Sequence, residues 1–291
     1  MKELVVISGK GGTGKSSLTL AFASLTQSKV IADCDVDAAD LHLVLKPQVR
    51  VENDFFGGNK VEIDQDNCKG CGKCEKYCNF QAINNRDGIY TIDPLKCEGC
   101  GVCAWFCFHG AVKTEPKVAG KWFISDIDGG ILVHAALGVK EDNSGKLVSK
   151  VREIAKQEAI KNNKDIIIVD GSPGIGCPVI ASITGANLIL VVTEPTVSGI
   201  HDLQRAAELV QHFGMSCLVC INKYNLNEDQ VKVIENFCAK KNIEIVGRVP
   251  YDLNFTKAQI AGKSLIDYQE GETVAIIKKM WETIQKKLDG N

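Results

Sequence analysis

Residues 9–16 read Gly-Lys-Gly-Gly-Thr-Gly-Lys-Ser, between the apolar run Leu4–Ile7 and the helix-forming stretch Lys15–Thr26. No other feature restricts the fold as much. A loop of this pattern works only where a strand ends and a helix begins, so that backbone N–H groups and the helix N-terminus face one anion. The pattern predicts a strand over Leu4–Ile7 and a helix over Lys15–Thr26. Gly9, Gly11, Gly12, Thr13 and Gly14 would curl around a β-phosphate. Lys15 would bring charge to the β- and γ-phosphates, the Ser16 hydroxyl would ligate Mg²⁺, and Ser17 completes the set. The plainer alternative is a glycine-rich turn that binds nothing, which the flanking strand and helix argue against.

A second lysine, Lys10, precedes the usual one. It leaves the loop where it cannot easily fold onto its own phosphate. In a face-to-face dimer it would reach the partner's nucleotide, as a cation supplied in trans. The competing reading is a solvated loop lysine.

Beyond the loop, unbroken apolar runs alternate with helical patterns. Val30–Ala32, Asp165–Val169, Leu188–Thr193, Ser216–Ile221 and Ile243–Val249 read as strands. Ser144–Asn163, Gly199–Phe213, Glu228–Lys240 and Glu272–Leu288 read as helices. Strands without polar alternation belong to a parallel sheet covered on both faces, which predicts a doubly wound α/β fold of the P-loop type. The composition, 45% hydrophobic over 291 residues, suffices for such a core. Val274, Ile277, Trp281, Ile284 and Leu288 form one face of the last helix. That face reads as cover for the sheet, with an amphipathic membrane contact as the weaker alternative.

The loop and its context resemble the deviant Walker A signature of the MinD/Mrp/nitrogenase-iron-protein group of ATPases, where the early lysine acts across an ATP-sandwiching dimer. "ADCDVDAADLHL" is similar to that group's switch I segment. The likeness implies that Asp35 orients the attacking water, with Asp33 and Asp37 supporting it or serving as loop and cap residues. "IIIVDGSPGIG" resembles Walker B and switch II, which implies Asp170 at Mg²⁺ and Gly174 at the γ-phosphate. "INKY" implies that Asn222 reads adenine, and "VPYD" that Pro250 and Asp252 lie in the loop closing over the base. Lys10, Lys15 and Asp35 would be the catalytic set.

The α/β pattern is interrupted between residues 57 and 120, by a segment bounded by "FFGGN" and "VAG", both read as turns. The expected organisation is a discontinuous ATPase domain, 1–56 and 121–291, with a ferredoxin-like α+β domain inserted at 57–120. The insert is a duplication: "EIDQDNCKGCGKCEKYCNFQAI" lies over "TIDPLKCEGCGVCAWFCFHGAV". Each copy has the Cys-x₂-Cys-x₂-Cys-x₃-Cys spacing of bacterial ferredoxins, in which the fourth cysteine of one run serves the other cluster. Cysteines 68, 71, 74 and 107 would hold one [4Fe–4S] cluster (Cys68, Cys71, Cys74, Cys107), and Cys97, Cys100, Cys103 and Cys78 the second. Gly70, Gly72, Gly99 and Gly101 would free backbone N–H groups toward the sulfurs. Zinc competes, but it leaves the third and fourth cysteine of each run unexplained. The proline usual after the fourth cysteine is replaced by Asn79 and Phe108. Of the remaining cysteines, Cys34, Cys217, Cys220 and Cys238 read as core or loop residues. Cys177 reads as a small residue at a helix start or as a thiolate near a dimer axis.

With 34 basic and 36 acidic residues the chain carries a net charge of −2, which does not call for nucleic acid or an anionic membrane as partner. The N-terminus lacks signal-peptide character, so a cytoplasmic protein is expected. The reading is therefore an ATP/ADP- and Mg²⁺-binding ATPase, homodimeric with ATP, coupled to electron transfer with a redox partner. The alternatives are delivery of a metallocofactor to a client metalloprotein and, more weakly, a redox-sensing regulatory switch.

Overall fold

The structure is a computed structural model describing residues 1–138 and 144–290. The chain runs β1 (Lys2–Ser8), α1 (Lys15–Ser24), β2 (Lys29–Asp33), α2 (Leu41–Leu45), β3 (Gln48–Ile63), α3 (Lys73–Lys76), β4 (Ile83–Arg86), β5 (Ile89–Ile92), α4 (Val102–Trp105), β6 (Val112–Ile127) and β7 (Gly130–Leu137). It continues through α5 (Ser144–Lys161), β8 (Ile166–Pro173), α6 (Cys177–Ile183), β9 (Leu188–Thr193), α7 (Val197–His212) and β10 (Cys217–Asn222). The remainder is α8 (Glu228–Lys240), β11 (Glu244–Val249), α9 (Asn254–Ile260), α10 (Leu265–Tyr268) and α11 (Glu272–Leu288).

Nine strands form one sheet in the order β11-β10-β9-β1-β8-β2-β7-β6-β3. β1 lies parallel between β8 and β9, with Leu4 beside Ile168 and Leu188. β2 is parallel to β8 and β7, and β10 to β9 and β11. All of these but the edge strand β11 are buried on both faces, as their unbroken apolar sequences require. On one face, Leu4, Val6, Ile31 and Ile168 pack with Leu18 and Phe22 of α1 and with Val274, Ile277, Trp281 and Ile284 of α11. The Phe22 and Trp281 rings stack at 5.1 Å. The apolar stripe of α11 is thus part of the core, which accounts for it without a membrane. No described helix is long and apolar enough to cross one.

The chain divides into two compact units. Of the described residues, the first comprises Met1–Asn53, Trp122–Leu137 and the chain from Ser144 onward; the second comprises Asp54–Lys121 and Gly138. β3 and β6, of 16 residues each, carry the chain out of the first unit and back. Here the turns expected at "FFGGN" and "VAG" give way to continuous strand. Gly57 is needed for close approach rather than bending, because a Cβ there would lie 2.6 Å from Ala119 Cβ.

In the second unit each cysteine run wraps into a short helix, α3 or α4. The glycines ahead of it are left-handed: Gly70 and Gly72 (φ 63° and 70°), Gly99 and Gly101 (φ 62° and 76°). The repeats interlock head to tail. Asp64 N–H donates to Ala111 C=O at 2.8 Å, and Asp93 N–H donates to Ala82 C=O at 2.7 Å. The end of each copy is thereby tied to the beginning of the other.

Candidate functional site

Two sites emerge, one in each unit. In the first unit the loop between β1 and α1 opens at the carboxyl edge of the sheet. Gly9 and Gly14 are packing glycines. A Cβ on Gly9 would stand 2.2 Å from Asp202 Cβ on α7, and one on Gly14 would stand 2.2 Å from the Asn222 side-chain nitrogen. Gly14 also has φ 93° and precedes the first turn of α1. A Cβ on Gly11 or Gly12 would meet nothing, so that side of the loop is open. The Thr13 hydroxyl is buried without a hydrogen-bond partner among the described residues, although its residue is only 2% exposed.

Lys15 is buried, with its Nζ 2.8 Å from Asp170 and 3.4 Å from Asp35. Burial disfavours its charge, but Asp170, Asp35 and Asp33 outweigh that and hold its pKa above the usual lysine value. Ser16 Oγ donates to Asp170 at 2.7 Å. Thr19, one turn further along α1, donates to the other Asp170 oxygen at 2.8 Å. Asp33 is fully buried and accepts from the N–H groups of Asp35 and Leu41. Burial, then the Asp170 charge, pushes its carboxyl well above the usual range. Asp35 is raised for the same first reason, with Lys15 opposing. Asp37 is exposed and outside this cluster. One ammonium thus faces three carboxylates, a set that calls for further positive charge.

The remaining predicted residues are engaged within the chain. Lys10 Nζ pairs with Glu194 at 2.7 Å and lies 2.9 Å from Ser198 Oγ, so it is docked rather than solvated. Glu194 also binds Lys223 at 2.9 Å, and Lys223 donates to Gly12 C=O at 2.8 Å. Burial raises the Glu194 pKa, but bonds from Lys10 and Lys223 overcome this and hold it below the usual value. Asn222 donates to Thr13 C=O at 2.7 Å, so this residue braces the loop. Gly174 (φ 93°) donates its N–H to Ser8 C=O at 2.8 Å. Ser17 Oγ accepts from Gln259 at 3.1 Å. Pro250 is half-buried, and Asp252 accepts from Asn254 N–H and from the Thr273 hydroxyl. Sequence reasoning missed Thr19, Glu194 and Lys223. Thr19 left one signal, a hydroxyl on the inward face of α1, four residues after Lys15.

In the second unit the eight cysteines line two small pockets, each of about 20 Å³. Cys68, Cys71, Cys74 and Cys107 line the first; Cys97, Cys100, Cys103 and Cys78 line the second. The fourth thiol of each run crosses to the other set, as the interlocked repeat ends require. The crossing thiols are bonded alike: Ala111 N–H reaches Cys107 Sγ at 3.3 Å and Ala82 N–H reaches Cys78 Sγ at 3.4 Å. Burial opposes ionisation of Cys107, but N–H groups from His109 to Val112 outweigh it and lower its pKa. Burial pushes Cys103 up to about 11. Among the described residues, no three His, Cys, Asp or Glu side chains are grouped as they would be around a single metal ion. Cys177 is exposed at the start of α6; Cys34, Cys220 and Cys238 are buried, and Cys217 is half-buried.

A doubly wound parallel sheet with this loop after its central strand defines a P-loop nucleotide-binding protein. The chain belongs to the CobQ/CobB/MinD/ParA nucleotide-binding family, whose pattern matches residues 4–266. It is 31% identical over 287 residues to the uncharacterized protein MJ0578 of Methanocaldococcus jannaschii, covering 98% of this chain and 96% of that one. It is 24% identical to an uncharacterized ATP-binding protein of the same organism, MJ0547, over 90% of this chain and 79% of the other. In fold it is similar to the septum site-determining protein MinD of Pyrococcus horikoshii OT3, solved with Mg-ADP. The TM-score is 0.60 at 15% identity, over 98% of this chain and 96% of that one.

Proposed function

We propose that the chain is an ATP-hydrolysing iron–sulfur protein whose nucleotide-driven homodimer couples the ATPase cycle to electron transfer through two [4Fe–4S] clusters. The observation that carries the reading is the sorting of eight thiols into two crossed sets of four around separate cavities. Zinc draws its thiolates to about 2.3 Å from one point. Here no three of the described thiols are grouped around one point, and each set of four lines a pocket of its own, a spacing that suits a cubane better than a single ion. Such clusters would supply one-electron exchange, and the N–H groups on Cys78 and Cys107 would stabilise their sulfurs.

The first unit fits Mg-ATP. The unpartnered Thr13 hydroxyl and the open Gly11–Gly12 backbone offer donors to phosphate. Ser16 and Asp170 would hold Mg²⁺, with Thr19 steadying the Asp170 carboxylate. Lys15, now paired with Asp170, would turn to the β- and γ-phosphates when Asp170 serves Mg²⁺ instead. Asp35 would position the attacking water, and Gly174 would reach the γ-phosphate after leaving Ser8. Asn222, Pro250 and Asp252 would frame the base.

Lys10 must leave Glu194 before it can serve a partner's nucleotide. Lys10→Ala should therefore retain ATP binding within about threefold, yet lose hydrolysis by about 10³-fold, the lower range for a trans cation. It should also lose ATP-driven dimerisation in sedimentation. Unchanged turnover would remove the in-trans role.

The test of the whole reading is iron and sulfide analysis followed by an anaerobic redox titration, first with ADP and then with a non-hydrolysable ATP analogue. We expect two cubanes per chain and a nucleotide-dependent shift of tens of millivolts. About 59 mV in a one-electron couple corresponds to about 1.4 kcal/mol of linkage. Clusters without a shift would turn the reading to cofactor delivery, and absence of iron would overturn it.

A further inference from the structure

We propose that the face of the second unit built from Lys69, Lys73, Lys76, Tyr77 and Phe108 docks a small acidic one-electron carrier protein. The inference rests on the iron–sulfur reading above and adds the kind of partner. The duplicated repeats provide an internal comparison, because equivalent positions in the two runs share a backbone setting and differ only in side chain. Lys69, Lys73 and Lys76 of the first run are all exposed; their counterparts in the second are Glu98, Val102 and Trp105. The walls of the two cavities differ accordingly. Lys69 and Lys73 line the first, together with Cys107, whereas Glu98, Val102 and Phe80 line the second.

Two of the lysines stand beside aromatic side chains, one from each run. Lys73 Nζ stands 4.3 Å from the ring centre of Phe108, and Lys76 Nζ stands 5.8 Å from that of Tyr77. Tyr77 in turn stacks on Phe106 at 3.9 Å, which fixes its ring. Phe108 is 76% exposed although it directly follows Cys107, and Tyr77 is 41% exposed. Large exposed aromatics within a charged rim are the composition of an interface centre. Glu75 is the acidic residue among the three lysines in sequence, so this stretch of the first run carries an excess of positive charge. Lys69 and Lys73 border one thiol-lined pocket, with Lys76 on the same short helix as Lys73, and Cys71 of that set is exposed. That geometry suits a compact, carboxylate-rimmed redox protein whose own cofactor lies at its surface. On docking, one electron would pass from the reduced carrier to the cluster that Cys68, Cys71, Cys74 and Cys107 would hold. The carrier is oxidised by one electron, the chain is reduced by one, and no bond or proton is exchanged.

The test uses the holoprotein with an acidic flavodoxin as probe. Affinity is measured with oxidised flavodoxin at low and high salt, and reduction by the hydroquinone form is followed by stopped flow. The triple variant K69Q/K73Q/K76Q should bind more weakly and be reduced about tenfold more slowly at low salt, the lower range of electrostatic steering. The salt dependence seen in the wild type should flatten in that variant. Iron content should be unchanged, and a K240Q/K241Q control in the first unit should behave as wild type. Equal affinity and rate in the triple variant, with iron intact, would overturn the docking face while leaving the clusters. Lysine-dependent self-association without flavodoxin binding would overturn it in favour of a second copy of the chain. A protein lacking iron and sulfide would overturn the underlying reading, and the docking with it.

Discussion

Lys15→Ala is expected to abolish measurable ATP binding, with at least about a 100-fold loss of affinity by calorimetry or by a fluorescent nucleotide. A charge-assisted hydrogen bond contributes about 1.5–3 kcal/mol, each 1.4 kcal/mol is a factor of ten, and Lys15 would make more than one such bond to phosphate. The same substitution leaves Asp33, Asp35 and Asp170 without their ammonium. Removing one partner of a buried ion pair costs about 3–5 kcal/mol, so the melting temperature should fall too. The two effects separate by pH. Asp33 has a folded pKa raised well above its unfolded value, so its contribution to stability is present in acid and lost as pH rises through the folded pKa. Without Lys15 that loss deepens, and the variant should fall further below wild type between acid and neutral pH. Lys15 itself has a raised folded pKa, so its contribution is intact at neutral pH and would disappear only in alkali. A pH-independent difference in melting temperature would show that the carboxylates do not depend on Lys15. Adding Asp35→Asn to Lys15→Ala should recover stability without recovering ATP binding.

The phosphate loop was legible because its fold is local: an apolar strand, glycines with a fixed job and a helix start follow within a dozen residues. The grouping of the cysteines along two pockets was legible for a related reason, since a duplicated spacing carries its own register. What the sequence hid is long-range. "FFGGN" reads as a turn until Gly57 is seen to admit Ala119 against it, a requirement imposed by a distant strand. Glu194 follows an apolar strand with no local sign that Lys10 and Lys223 converge on it. Thr19 looks like helix filler, yet it holds one oxygen of Asp170. Asn222 and Gly174 were assigned from resemblance to nucleotide contacts. Their partners here are Thr13 and Ser8 of the same chain, so a contact of either with nucleotide would require an exchange of bonds.

If the eight thiols hold two clusters as proposed, Cys107→Ala should remove the one assigned to Cys68, Cys71 and Cys74, although Cys107 lies in the other run. Cys78→Ala should remove its counterpart. The crossing follows from the repeat ends: Asp64 is bonded to Ala111 and Asp93 to Ala82, which carries each fourth thiol to the opposite cavity. Iron should fall by about half in either variant, because each cubane needs its four thiolates. The surviving paramagnetic signal in Cys107→Ala should match that of Cys68→Ala and differ from that of Cys97→Ala. Pairing is tested most sharply by double variants. Cys68→Ala with Cys107→Ala should lose no more iron than either alone, whereas Cys68→Ala with Cys97→Ala should lose both clusters. If Cys107→Ala instead matched Cys97→Ala, each run would hold its own cluster and the crossed assignment would be wrong. ATP binding should persist throughout, since Lys15, Ser16 and Asp170 are held by β1, α1 and β8 of a unit with its own core. Its loss in a cysteine variant would mean that the clusters support the whole chain, and the coupling would then be one of folding before it is one of potential.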